Sequence, residues 1–173
     1  MTLSMSAAAI PPVVQTLAAL RTLIDKAEAF AAERKIAEAV ILDARLAPDM
    51  FPFVRQVQLT TDFAKGIAAR LSGREVPSYE DSERSFADLR QRIDKTVSFV
   101  ASVPMAEIDG AAGRDVTVRM RGQPVTVKGE PYLVHFALPN LYFHAAAAYA
   151  ILRHNGVVIG KADFLGTMPG FPG

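Results

Sequence analysis

The sequence predicts a mainly α-helical protein: a four-helix bundle with a small β-hairpin inserted before the last long helix. Four segments carry apolar residues at steps of three and four, which is the period of an amphipathic helix. A segment between the third and the fourth of them alternates apolar and polar residues around a glycine-containing turn, a pattern typical of a hairpin. The 173 residues contain no internal repeat and no interdomain linker. We therefore expect a single domain spanning residues 1–173.

The first long helix is expected to start at Pro11 and Pro12, because proline is well tolerated in the first turn of a helix. It is expected to end near Arg34, and a shorter apolar segment over residues 36–46 follows it. Its regular spacing places one apolar face toward the core. This face consists of Val13, Leu17, Leu20, Leu23 or Ile24, and Ala27.

The second long helix is predicted over residues 51–72. Gly73 is well placed to end it, because glycine readily adopts the left-handed conformation found at helix C-termini. Its apolar face consists of Phe53, Val57, Thr60, Ala64, Ile67 and Leu71.

The third long helix is predicted to start at Ser78 as its N-cap. Glu80 and Asp81 would then lie in its first turn, where acidic side chains interact favourably with the helix dipole. Pro104 is expected to end it. Its apolar face consists of Phe86, Leu89, Ile93, Val97 and Val100.

The hairpin is predicted within residues 105–131. Arg119 and Arg121 alternate with its apolar residues and could bind an anion, although a solvated strand face explains them more simply. A lone hairpin is only marginally stable in water, so it should pack against the helices. The apolar positions are Val116, Val118, Met120, Val125 and Val127.

The fourth long helix is predicted from about Pro139 to Asn155-Gly156, a pair suited to a helix C-terminus. The approach to it, residues 132–139, is expected to be extended, and His135 within it receives no special role. His154 lies in the last turn, where a cation favours the helix dipole. The four alanines 145–148 predict close packing against a neighbouring element.

Composition excludes several classes of function. The 19 Lys and Arg residues nearly cancel the 18 Asp and Glu residues, so a nucleic-acid partner is not expected. The absence of cysteine excludes disulfides, thiolate zinc sites and cysteine nucleophiles. The apolar N-terminus lacks the basic start of a secretory signal and continues into an amphipathic pattern. We therefore expect a cytoplasmic protein with no membrane partner.

Two stretches carry a resemblance to a known family. They are LAPDMFPFVRQVQLTTDFAKGIAARLSG (Leu46–Gly73) and ALPNLYFHAAAAYAILRHNGVVIGKADFLG (Ala137–Gly166). Together they resemble an uncharacterised bacterial family in the DinB/YfiT-like superfamily, and the similarity covers nearly the whole chain. The resemblance implies a DinB-like four-helix bundle that is often dimeric, so we expect a homodimer.

The resemblance also implies a type of site. Many members of the superfamily bind a divalent metal through three histidines, one on the second helix and two spaced four residues apart on the fourth. Characterised relatives include metal-dependent thiol transferases that use low-molecular-weight thiols, and a maleylpyruvate isomerase.

Only part of this metal pattern is present. His144 matches the second histidine of the fourth helix, because it stands eight residues before Leu152 and Arg153. Asn140 takes the position of the first, and Gln56 or Gln58 that of the histidine on the second helix. Neutral amide oxygens are weak ligands for zinc or nickel. We therefore expect a degenerate site with His144 as its one strong ligand and no cofactor, with bound Zn or Ni as the alternative.

Two functional hypotheses follow. The first is a small-molecule site in the bundle around His144, with Asn140, Gln56 or Gln58 as ligand-binding residues and with His144 and Tyr149 as catalytic residues. By resemblance, such a site would belong to a transferase or an isomerase. The second is a non-enzymatic, dimeric binding or stress-related module that kept the fold. Convergence of these side chains on an open cavity would favour the first hypothesis.

Overall fold

The computed structural model describes residues 3–171 and has the predicted architecture, a mainly helical bundle with an inserted hairpin. Its elements in chain order are α1 (Met5–Arg34), α2 (Glu38–Leu42), α3 (Phe53–Ser72), α4 (Phe86–Ala101), α5 (Met105–Asp109), β1 (Asp115–Met120), β2 (Gln123–Lys128), α6 (Gly129–Pro131), a π-helix (Tyr132–Ala137), α7 (Leu138–His154) and α8 (Lys161–Leu165). The long helices α1, α3, α4 and α7 form the bundle, which confirms the predicted fold class.

Helix α3 is the centre of the bundle. It packs most extensively on α7 and also contacts α4 and α1. Phe53, Val57, Ile67 and Leu71 on its apolar face are fully buried. Gly73 ends the helix with a φ of +77°, so the prediction for this terminus is confirmed.

Helix α1 has the length and apolar composition of a membrane-spanning helix. Its apolar residues pack against α3, α4 and α7 in the bundle core. A helix in the core of a helical bundle can have the same apolar composition, because it packs against other helices.

The predicted start of α1 at Pro11 and Pro12 is wrong, because the helix begins at Met5. The hydroxyl of Ser4 accepts a hydrogen bond from an N–H of the first turn, and the carboxylate of Asp109 accepts another. The apolar side chains of these first turns are buried in the core. Capping and burial therefore offset the two N–H groups that the prolines lack.

The predicted start of α4 at Ser78 is also wrong. The helix begins seven residues later, with Ser85 as its N-cap; the Ser85 hydroxyl accepts the Asp88 N–H at 3.1 Å. Residues 74–84 have no regular secondary structure. This segment is held by the side chain of Arg92 rather than by helical hydrogen bonds.

The approach to α7 is helical rather than extended, which corrects the prediction for residues 132–139. Helix α6 and the π-helix run without interruption into α7. Tyr132 and Leu133 are fully buried in the core, whereas His135 is exposed. A π-helix has a wider turn than an α-helix and often lies at a functional site.

The hairpin has the predicted alternation. Val116 pairs with Val127 in an antiparallel register, and Val116 and Val118 are buried against the helices. Arg121 and Gly122 both have positive φ values, of +50° and +80°, which is the conformation of a tight hairpin turn.

Candidate functional site

The centre of the candidate site is a contact between His144 of α7 and Gln56 of α3. Nδ1 of His144 lies 2.8 Å from Oε1 of Gln56. The amide nitrogen of Gln56 donates to the backbone carbonyl of Phe51 at 3.2 Å. Because the amide nitrogen faces that carbonyl, the amide oxygen faces the imidazole, and Nδ1 must carry the hydrogen. The neutral ring therefore keeps its lone pair on Nε2.

The surroundings of His144 favour this neutral form. Burial lowers the pKa of its imidazole, and the positive charge of nearby Arg55 lowers the pKa further. The ordinary pKa of histidine is about 6.5, so His144 is neutral at pH 7. In this form Nε2 can accept a hydrogen bond or a proton.

Aromatic rings hold the imidazole on two sides. Phe63 stacks on it with ring centroids 5.6 Å apart, and Phe143 meets it edge-on at 5.3 Å. The Phe143 side chain is 57% exposed and that of His144 is half-buried. The ring is therefore fixed in orientation while one side of the site lies at the molecular surface.

The predicted ligand-binding residues have different surroundings. Asn140 lies one turn before His144 and donates from Nδ2 to the backbone carbonyl of Phe136 at 2.7 Å. Gln58 is buried and donates to Glu83 at 2.7 Å, on another side of α3. Of the two glutamines that the sequence left open, Gln56 contacts His144 and Gln58 does not.

Tyr149, the second predicted catalytic residue, has different neighbours from His144. Its ring packs against Phe164 of α8, with centroids 5.8 Å apart. Tyr149 is five positions after His144 on α7, which places the two side chains on different faces of the helix.

The residues around His144 do not fit the three-histidine metal site that the resemblance implies. Within residues 3–171, no group of three or more His, Cys, Asp or Glu side chains is arranged to hold a metal ion. The amide oxygen of Gln56, which replaces one ligand, accepts the hydrogen of His144 instead. Nε2 of His144 therefore remains as a single strong metal ligand, where a stable zinc site needs three or four.

Beyond His144, helix α3 contacts the π-helix that precedes α7. Phe63 meets Phe136 at 5.9 Å between ring centroids, and Arg70 lies beside Tyr132. A cavity of about 240 Å³ lies at this level. Its lining residues are Leu59, Asp62, Phe63, Arg70, Val118, Arg119 and Phe136. Phe63 therefore contacts His144 and also lines this cavity.

Arg92 is a structural residue that the sequence patterns missed. It is 4% exposed and donates to Thr61 at 2.7 Å, to Asp62 at 2.9 Å and to Glu83 at 2.9 Å. Burial acts to lower the pKa of this guanidinium, but the hydrogen bond to Glu83 and the surrounding carboxylates outweigh it and raise the pKa. Its burial could have been predicted from its spacing, since Arg92 follows Leu89 by three residues on the buried face of α4.

Comparison with known proteins gives the family. Residues 5–165 match the family described as "Domain of unknown function (DUF1993)". A crystal structure of a DinB family member protein from Shewanella denitrificans is 39% identical in sequence and superposes with a TM-score of 0.89, covering 97% of this chain and 95% of that one. No curated protein matches the chain. The protein therefore belongs to the DUF1993 family and has the fold of a DinB family member.

Proposed function

We propose that this protein binds a small molecule at a metal-free site, where Nε2 of neutral His144 accepts a hydrogen from the ligand. The hydrogen bond between His144 and Gln56 is the observation that supports this proposal most directly. An imidazole held through one nitrogen, with the other free, is the arrangement of a general base. His144 is half-buried and Phe143 beside it is exposed, so the site lies at the molecular surface.

In an enzymatic form of this proposal, the ligand is a thiol or another weak acid. The resemblance implies low-molecular-weight thiols for the metal-dependent transferases of the superfamily, and a metal-free His144 would act by a different mechanism. Nε2 takes the S–H proton, which leaves a thiolate and an imidazolium. Gln56 keeps accepting the Nδ1 hydrogen, but its neutral amide stabilises an imidazolium less than a carboxylate would. We therefore expect modest activation of the thiol.

The test is NMR on protein labelled with ¹⁵N in its histidines. The probes are glutathione and phenol, which can donate a hydrogen, and the matched control is S-methylglutathione, which has no S–H group. We expect glutathione or phenol to shift the Nε2 resonance of His144, with no shift from the thioether. Unchanged Nε2 at millimolar concentrations of both donors would overturn the proposal.

Two variants localise the effect. We expect the donor probes to protect the wild type against thermal unfolding. His144→Asn places an amide nitrogen near the position of Nδ1 and removes Nε2, so this protection should disappear. His154→Asn changes an exposed histidine on the same helix, and this protection should remain. An equal response of the two variants would contradict a role for His144.

A second candidate function is a homodimeric binding module located in the cytoplasm. Phe51 and Phe143 are 54% and 57% exposed, and both lie next to the contact between His144 and Gln56. Exposed aromatic residues are common in protein interfaces. By sedimentation velocity, we expect a dimer that Phe143→Ser dissociates. Val158→Ser changes an apolar residue that is 80% exposed, and this variant should leave the dimer intact. A monomeric wild-type protein would exclude this candidate.

A further inference from the structure

We propose that the cavity beneath the hairpin is a binding site for a small carboxylate with an apolar body. Its apolar wall is formed by Leu59 and Phe63 of α3, Phe136 of the π-helix and Val118 of β1. Arg70 of α3 and Arg119 of β1 also line it. The site is thus assembled from three elements that are far apart in sequence.

The volume sets the size of the ligand. A cavity of about 240 Å³ has the volume of about eight water molecules in the liquid, at roughly 30 Å³ each. Drug-sized ligands occupy pockets of roughly 300 Å³ and more. The cavity therefore suits a molecule with the size of benzoate or hexanoate.

The charges favour an anion. Among residues 3–171, neither Arg70 nor Arg119 takes part in an ion pair. Asp62, the acidic residue in the lining, is already paired with Lys65 at 2.7 Å and with Arg92 at 2.9 Å. The two arginines thus leave a net positive charge at the cavity, and a planar guanidinium binds a carboxylate with two parallel hydrogen bonds.

The position of Arg70 depends on a glycine one turn earlier. The guanidinium of Arg70 lies against Gly66, where a Cβ atom would collide with Nη1. Its hydrogen bond to the hydroxyl of buried Tyr132 is long, at 3.5 Å. Gly66 therefore lets the guanidinium lie along α3 with most of its donors unused by protein groups.

The apolar part of the ligand has room to extend. A neighbouring cavity of about 220 Å³ shares Val118 and Phe136 with the first. Its other lining residues are Met120, Val127, Pro131 and His135. A carboxylate at Arg70 and Arg119 can thus direct a ring or an acyl chain under the hairpin.

The alternative explanation is that both arginines are ordinary solvated side chains. Calorimetric titration with benzoate, compared with benzamide and benzylamine of nearly the same shape, separates the two explanations. We expect benzoate to bind and both analogues to bind at least about tenfold more weakly, because hydrogen bonds between charged partners are about twice as strong as neutral ones. Equal binding of the three compounds, or no benzoate binding at millimolar concentration, would overturn the proposal.

Variants test the two arginines directly. Arg70→Gln and Arg119→Gln should each weaken benzoate binding by about tenfold. Arg121→Gln is the matched control, since Arg121 lies in the turn of the same hairpin and does not line either cavity. Thermal unfolding confirms that each variant is folded. Loss of benzoate affinity in Arg121→Gln, without a loss in Arg70→Gln or Arg119→Gln, would contradict the assignment.

This inference does not depend on the function of His144. His144→Asn should bind benzoate as the wild type does, because His144 does not line either cavity. Backbone amide shifts at Leu59, Val118 and Phe136 during the titration locate the ligand. Shifts confined to another part of the protein would show that the carboxylate binds elsewhere.

Discussion

Nδ1 of His144 lies 2.8 Å from the side-chain oxygen of Gln56, a residue 88 positions earlier in the chain. The contact joins α7 to α3 and fixes which imidazole nitrogen carries the hydrogen. It also occupies the glutamine oxygen that would otherwise be available to a metal. The consequences of this contact for pH dependence, metal binding and tautomer can each be measured.

The stability of the protein should fall in mild acid because of His144. Its pKa is lower in the folded protein than its ordinary value, so the unfolded chain binds the proton more readily. The stability that neutral His144 contributes is fully present above about pH 6.5 and is lost as the pH falls through the lowered folded pKa. Chemical denaturation of the wild type and of His144→Asn from about pH 7 to about pH 5 should give a steeper loss for the wild type.

Arg55→Gln provides the control for this pH effect. The charge of Arg55 contributes to the lowered pKa of His144, so its removal should raise that pKa in an NMR titration. An unchanged or lower pKa in Arg55→Gln, or identical acid profiles for the wild type and His144→Asn, would contradict the electrostatic description of the site.

Zinc and nickel should not bind tightly at His144. The surrounding side chains supply one strong donor where a stable site needs three or four. In calorimetric titrations, we expect the wild type and His144→Ala to give the same weak signal with either metal. Near-stoichiometric binding that disappears in His144→Ala would show that a metal site forms despite the arrangement seen here.

Replacement of Arg92 should destabilise the protein strongly. Its guanidinium is buried and pairs with Asp62 and Glu83. In Arg92→Met, Glu83 would lose this cation and Asp62 would keep only Lys65. Loss of one member of a buried ionic network costs about 3–5 kcal/mol. Urea denaturation should show a loss of this order, together with faster hydrogen exchange in residues 74–84.

Arg90→Met is the matched control for Arg92. Arg90 lies on the same helix but pairs with Glu28 and Asp25 nearer the surface. Exposed ion pairs contribute at most about 1 kcal/mol, so this variant should remain close to the wild type in stability. Equal destabilisation by the two substitutions would mean that burial of Arg92 has no special effect.

Gly66→Ala should affect stability and carboxylate binding in opposite directions. Alanine is favoured over glycine within a helix by about 0.5–1 kcal/mol, and the Arg70 head group is flexible enough to move away from the new Cβ. Thermal unfolding should therefore show equal or greater stability, while benzoate binding weakens. In an Arg70→Gln background the same change should cause no further loss of affinity. An independent, additive loss would show that Gly66 acts through something other than Arg70.

The four long helices could be predicted because their buried faces repeat at the helical period. The end of α3 was predictable for a local reason, since Gly73 adopts a positive φ that glycine reaches more easily than residues with a Cβ atom. The start of α4 was not predictable, because Ser78 and Ser85 are both followed by acidic residues and therefore both resemble a helix N-cap. Long-range hydrogen bonds from Arg92 hold residues 74–84 outside the helix, and sequence periodicity contains no information about such bonds.

The candidate site was predicted only in part, for similar reasons. Helical spacing and the family resemblance identified His144, but left Gln56 and Gln58 as equal alternatives. The two glutamines point to different sides of α3, and only the packing of α3 against α7 selects Gln56. Arg70 was not identified because the cavity that it lines is formed only when the π-helix and the hairpin pack beside α3. A π-helix has no periodic signature that a short apolar segment can reveal.

The most direct test of this account is the tautomer of His144, read from its ¹⁵N imidazole shifts at pH 7 in the wild type and in Gln56→Leu. We predict a neutral ring protonated on Nδ1 in the wild type, and loss of this preference in Gln56→Leu, where the acceptor is absent. Gln58→Leu, on the same helix, should leave the tautomer unchanged. A wild-type ring that is protonated on Nε2, or charged at pH 7, would contradict the claim that Gln56 holds His144 as a neutral base.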